Sequence, residues 1–160
     1  MLSSYITPQM RTSLGRVIGT YVSDPVSVRD IKQWAIATYY PDAPPRLYWD
    51  EAYARQTRFG GIIAPQEFNP FTWPLRHDPL PFDVYEARPV PGGRGLLGGC
   101  SAEYHQRIRP GDVVRSVIRL VDLIERQGRL GLMLFLTKEH RWSNQRDELV
   151  KVFRNTSIIF

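Results

Sequence analysis

Tyr40 to Asp50 reads Y-P-D-A-P-P-R-L-Y-W-D, which crowds two carboxylates, Asp42 and Asp50, around the phenol of Tyr48. A base and an acid held on a tight turn, both within hydrogen-bond reach of one water, can perform general acid–base chemistry. Asp42 is of the right type for that work. Tyr48 is a poor base at neutral pH, because a phenol titrates near ~10. Asp50 precedes E-A-Y-A-R and reads as the cap of a short helix running to about Arg58, ended by Gly60 and Gly61. The bland alternative is that Asp42 closes a helix and that Tyr48 and Trp49 only pack.

Other groups of chemical interest are few. The three histidines, His77, His105 and His140, each have an acid nearby. No pair of them has metal-ligand spacing and no carboxylate cluster accompanies them, so no metal site is expected. Cys100 is the one cysteine, which excludes an internal disulfide and reads as a small strand residue. The run R-G-L-L-G-G from Arg94 precedes a strand, whereas phosphate-cradling glycines need a helix N-terminus behind them. A nucleotide loop is therefore excluded, and no G-x-S-x-G elbow is present.

The elements that must hold these residues follow from pattern. Leu14 to Val22 reads as a short first strand. Ser27 and Asp30 have capping-box spacing, and Ile31, Trp34, Ala35 and Thr38 follow at helical intervals, so a helix is expected from about Val28 to Tyr39. Pro41, Pro44 and Pro45 stop it. Seven prolines between Pro65 and Pro91 leave no room for a long helix there. Beyond them, Cys100 to Ile108, Val113 to Glu125, Gly131 to Thr137 and the closing L-V-K-V-F-R-N-T-S-I-I-F predict a four-stranded antiparallel meander joined by tight turns. The nearly continuous apolar run Leu130 to Leu136 calls for cover on both faces of the sheet, and hence for a partner chain. Helices first and a curled meander afterwards make an α+β fold.

With 160 residues, 42% hydrophobic and 23% charged, the chain fits one globular domain spanning 1–160, with a proline-rich loop at 65–95 inside it. Its net charge of +5 comes from 18 Arg and 3 Lys scattered singly, which is not a nucleic-acid patch. Such an excess can draw a phosphate-bearing small ligand. No apolar stretch is long enough to span a membrane, and the first residues lack the pattern of a secretion signal, so a cytoplasmic location is expected.

The order of a short helix, the Asp42 turn, an acid-capped helix with Y-A-R and then F-G-G-I-I-A-P resembles the MaoC-like hot-dog dehydratases and R-specific enoyl-CoA hydratases. The strand, R-I-R-P-G-D, long strand, E-R-Q-G-R, strand, S-N-Q and last strand are similar to that family's meander. The likeness runs over about residues 14–160 and is greatest to the N-terminal-domain, non-catalytic-subunit branch. It implies a single hot-dog domain, a curled antiparallel sheet around a short, proline-interrupted central helix.

In those enzymes the turn reads G-D-x-N-P-x-H-x-D, its Asp and His activate a water at the β-carbon of an enoyl thioester, and a glycine N–H holds the thioester oxyanion. Here Asp42 stands at the acid position, Tyr48 falls where the His belongs, and Pro65-Gln66 replaces His-Gly. The resemblance thus implies a degenerate site and no confident catalytic residue. It implies substrate contacts at Gly60, Gly61, Gln66, Phe68, Phe71 and Trp73, no cofactor, and CoA or acyl-carrier thioesters as substrates. The preferred expectation is a subunit of an enoyl-CoA hydratase or 3-hydroxyacyl-thioester dehydratase that pairs with a catalytic hot-dog subunit. Pro70 and Pro74 shorten the central helix to one or two turns around Gln66 to Phe68, leaving Phe68, Phe71, Trp73 and Leu75 to line space for a bulky or long acyl chain. Two alternatives stay open: a self-sufficient homodimer using Asp42 with Tyr48 or His105, and a non-catalytic acyl-CoA-binding hot-dog protein. Arg58 and Arg107 are open candidates for the CoA phosphates.

Overall fold

Capping and spacing decide the longest helix. In the computed structural model, which describes residues 4–71, 94–129 and 131–160, α2 runs from Val28 to Tyr39. Ser27 Oγ accepts from the Asp30 N–H at 3.1 Å, and the Asp30 carboxylate accepts from the Ser27 N–H at 3.1 Å. Ile31 and Ala35 are the fully buried residues of its inner face. A shorter helix, α1 (Pro8–Ser13), precedes it, capped by Thr7 and burying Met10; no sequence pattern announced it. After α2 come a 3-10 turn at Arg46–Tyr48 and α3 (Glu51–Arg55), which ends earlier than expected.

The sheet has five antiparallel strands in the order β1-β3-β4-β5-β2. They are β1 (Val17–Val22), β2 (Gly95–Tyr104), β3 (Arg115–Gly128), β4 (Gly131–Ser143) and β5 (Leu149–Ile159). Only β3, β4 and β5 form the expected meander. The expected fourth member, β2, does not pair with β3; it lies at the far edge beside β5, and it begins and ends earlier than Cys100 to Ile108.

The R-P-G-D segment is a crossover instead of a hairpin turn. Ile108 C=O accepts from the Ala64 N–H at 2.8 Å, and Asp112 C=O accepts from the Val26 N–H at 2.9 Å. Those bonds tie the chain leaving β2 to the segments flanking α2 and α3, and so carry it across the sheet.

Two apolar clusters anchor the helical segments. Met10 joins Ile18, Ile118, Leu120, Leu134, Leu136 and Ile159 at one end of the sheet. At the other end Ile31 and Ala54 meet Ile62, Ala64, Phe68, Val114 and Trp142. In the run that was expected to be covered on both faces, Leu134 and Leu136 are buried, whereas Leu132, Met133 and Phe135 are half-buried. Residues 62–71 contain no helix; the expected central helix is here one turn, closed by the Phe68 N–H on Pro65 C=O at 3.1 Å. Trp73, Leu75 and His77 lie outside the described residues, as does most of the proline-rich loop.

One transverse row crosses every strand. Tyr21, Ser116, Trp142, Lys151 and Tyr104 are successive cross-strand partners from β1 to β2. The row faces the 62–71 segment: Phe71 packs edge-on to Trp142 at 5.0 Å and tilted to Tyr21 at 6.4 Å.

Candidate functional site

The Asp42 turn is built by local bonds. Pro41 follows a cis peptide, the Asp42 N–H donates to Tyr39 C=O at 2.8 Å, and Trp49 Nε1 donates to Pro44 C=O at 2.9 Å. Asp50 caps α3 by accepting from the Tyr53 N–H at 3.0 Å, and it also accepts two bonds from the Arg46 guanidinium at 3.0 and 2.6 Å. These bonds, the backbone one foremost, hold its carboxyl below the usual range. Asp50 is thus a structural acid.

Asp42 is exposed, and Tyr48 is half-buried against Tyr39, ring centres 6.2 Å apart. Burial first, and then Tyr39, push the Tyr48 phenol above its ordinary value, while the charge of Arg107 pulls it down. Both residues lean on Tyr39, Asp42 through its backbone and Tyr48 through its ring. The group at the position expected of a base therefore stays a neutral phenol at physiological pH.

α3 ends at Arg55 with Gln56 as its C-cap, not at the glycines; Gly60 (φ +67°) and Gly61 follow in the loop beyond it, where a Cβ on either would meet nothing within 4 Å. Beside them Arg58 covers the Phe59 ring at 4.8 Å, and Arg109 donates to Phe59 C=O at 2.8 Å. Gln66 lies beyond this loop, at a cavity of about 20 Å³ that it lines with Ala64, Pro65, Tyr104, His105, Arg107, Trp142 and Lys151. That volume holds about one water. Arg107 lines this cavity, and its charge also acts on the Tyr48 phenol.

Phe68 lines a different and larger cavity. It packs edge-on against Trp34 at 5.6 Å, and the two, with Val26, Ala37, Pro70 and the acids Asp24 and Asp30, border a space of about 390 Å³. Trp34 Nε1 is buried without a partner among the described residues. Phe71 packs on the transverse row instead. Gln66, Phe68 and Phe71 are thus on one segment yet serve three surroundings.

Sequence reasoning passed over Lys151. It is 7% exposed, and its Nζ lies 5.0 Å from the ring centres of Tyr104 and Trp142 and 5.5 Å from that of Phe153. Its ion pair with Glu67 is long, at 3.8 Å. Tyr104 donates its hydroxyl to the same carboxylate, and burial followed by Glu67 pushes this phenol up to about 12. The signal available was a lone lysine inside L-V-K-V-F, an apolar strand. His140, one row along the same face, is neutral, because burial and then Lys138 lower it to about 4. Among the described residues no group of three or more His, Cys, Asp or Glu could hold a metal, and no helix is long and apolar enough to cross a membrane.

Comparison with known proteins places this geometry. The family model FAS1-like, dehydratase domain region, matches residues 12–153. A search of the curated proteins finds no match. Among solved structures, the ChsH1-ChsH2 complex from Mycobacterium tuberculosis has a chain similar with a TM-score of 0.72 at 21% identity, covering 94% of this chain and 86% of that one. The C-terminally truncated HadBC (3R-hydroxyacyl-ACP dehydratase) complex of the same organism aligns with a TM-score of 0.61 at 16% identity, over 91% and 99%. The (R)-hydratase from A. caviae involved in PHA biosynthesis aligns at 0.59 and 16% identity, over 89% and 95%. The chain belongs to the FAS1-like dehydratase domain region family and has the hot-dog fold of the MaoC-like dehydratases and R-hydratases.

Proposed function

We propose that this chain is the subunit without a catalytic histidine in a two-subunit enoyl-CoA hydratase or 3-hydroxyacyl-thioester dehydratase. The observation that carries the reading is Tyr48, a phenol raised by burial and packed on Tyr39, at the position where the family's turn has its base. Asp42 alone, exposed to solvent, lacks the second group that would pass the proton onward. The paired subunit supplies the acid and base.

The free edge of the sheet supports a partner chain. β2 pairs with β5 on one side and has no strand on the other among the described residues, and it presents Leu96 and Leu97 at 49% and 63% exposure. The outer edge of this ten-residue strand, with the exposed Leu96 and Leu97, forms a template for another chain's strand. Two of the similar solved structures are two-protein complexes by name. The space of about 390 Å³ beside Phe68 and Trp34 supports an acyl group larger than four carbons.

The test is an assay of enoyl-CoA hydration by the isolated chain, by a hot-dog subunit carrying an intact G-D-x-N-P-x-H turn, and by their mixture. The expected result is little or no hydration by this chain alone and a gain on mixing. Full activity of the isolated chain would overturn the reading.

A further inference from the structure

A lysine ammonium has three donors and needs acceptors when it is withdrawn from water. Lys151 is withdrawn and poorly supplied. Its side chain is 9% exposed, and its carboxylate partner, Glu67, stands 3.8 Å away on a side chain that is 66% exposed. The other Glu67 oxygen is taken up by the Tyr104 hydroxyl. Three ring faces surround the ammonium and attract it without accepting a hydrogen bond in the ordinary geometry.

A second donor stands beside it. Trp142, 7% exposed, keeps its Nε1 buried without a partner among the described residues, and it lines the same cavity of about 20 Å³ as Lys151. The Lys151 ammonium is thus an undersupplied donor on a residue that lines this pocket. The pocket sits under the Pro65-Gln66 turn. Its volume suits one oxygen-bearing group, the tip of a ligand and not a chain.

We infer that Lys151 is a binding residue for the carbonyl or carboxylate oxygen at the head of an acyl ligand, which enters the pocket beneath Pro65-Gln66 and accepts from the lysine Nζ. This rests on the acyl-thioester reading above for the class of ligand, but it concerns binding by this chain and not turnover by a complex. A thioester carbonyl and a free carboxylate share the chemistry. The ammonium favours the carboxylate by charge, whereas the thioester brings the CoA portion with it.

The experiment is calorimetric titration of the intact chain with dodecanoyl-CoA, dodecanoate and CoA, for the parent, Lys151→Met and Lys151→Gln. Circular dichroism and thermal melting of each variant establish that it is folded. The parent is expected to bind at least one of the two acyl ligands and to bind CoA more weakly. Lys151→Met should weaken the acyl ligand by tenfold or more while leaving CoA unchanged. Lys151→Gln, which keeps a donor without charge, should retain the thioester better than the carboxylate. A merely structural lysine would move the melting temperature and leave affinity alone. Absence of acyl binding by the parent, or equal affinity of the parent and folded Lys151→Met, overturns the inference. Failure of the mixed subunits to hydrate an enoyl-CoA, with Lys151-dependent binding intact, would overturn the proposed function and leave this one standing.

Discussion

Trp142 and Lys151 are cross-strand partners on β4 and β5, and the lysine Nζ lies 5.0 Å from the indole ring centre. The pair puts a charge in the middle of a row that is otherwise aromatic or small. Burying that charge against one long ion pair brings little net stability, since desolvation offsets the attraction. Lys151→Met is therefore expected to be neutral or to stabilise the fold by up to ~2 kcal/mol in denaturant titration. A loss of several kcal/mol would show that the Glu67 pair holds the turn in place.

His140 makes the fold acid-sensitive. Its value falls from 6.5 to about 4 in the folded chain, chiefly through burial. Between those two values the unfolded chain binds a proton that the folded chain refuses. This contribution is fully present above about pH 6.5 and fades as the pH drops toward 4, by up to ~3 kcal/mol. The denaturation midpoint should fall across that window, and His140→Gln should flatten the dependence. A variant with the parent's slope would assign the effect to other groups.

Helix α2 rests on a reciprocal cap. Ser27→Ala removes the side-chain acceptor for the Asp30 N–H at 3.1 Å and should cost ~1 kcal/mol. Ile36, on the outer face and 57% exposed, provides the contrast: Ile36→Ala should change stability by less than ~0.5 kcal/mol. Equal losses at both positions would contradict this account of the helix.

That helix was legible because its signals are local: Ser27, Asp30, Ile31 and Ala35 stand within one short window. The strand partners were not. That β2 pairs with β5 depends on the crossover tying Ile108 to Ala64 and Asp112 to Val26, contacts between residues far apart in sequence. The site divides the same way. Asp42, Tyr48 and Gln66 are candidates reached by counting along a turn. Lys151 is legible only once Tyr104, Trp142 and Glu67, on three other segments, are seen around it. α1 went unread because P-Q-M-R-T-S offers one apolar residue, Met10, and no periodicity.

The space beside Phe68 carries the prediction on substrate size. The mixed subunits should have a higher kcat/KM on a long-chain or polycyclic enoyl-CoA than on crotonyl-CoA. Phe68 is buried against Trp34, so Phe68→Ala should cost ~3–5 kcal/mol of stability. Trp34→Phe is the gentler probe of the cavity and should lower the long-chain kcat/KM more than that of crotonyl-CoA. A preference for crotonyl-CoA would show the cavity to be unused.

The proposed function requires that the Asp42 turn perform no acid–base chemistry. Its most direct measurement is the kcat for long-chain enoyl-CoA hydration by mixed subunits in which this chain carries Asp42→Asn and Tyr48→Phe together. Both substitutions keep the shape of the turn and remove its titratable groups. A kcat within about twofold of the parent mixture is expected, because acting general acid–base groups contribute ~10²–10⁴-fold and the proposed function assigns these groups no such part. A loss of a hundredfold or more would contradict it and return the turn to catalysis.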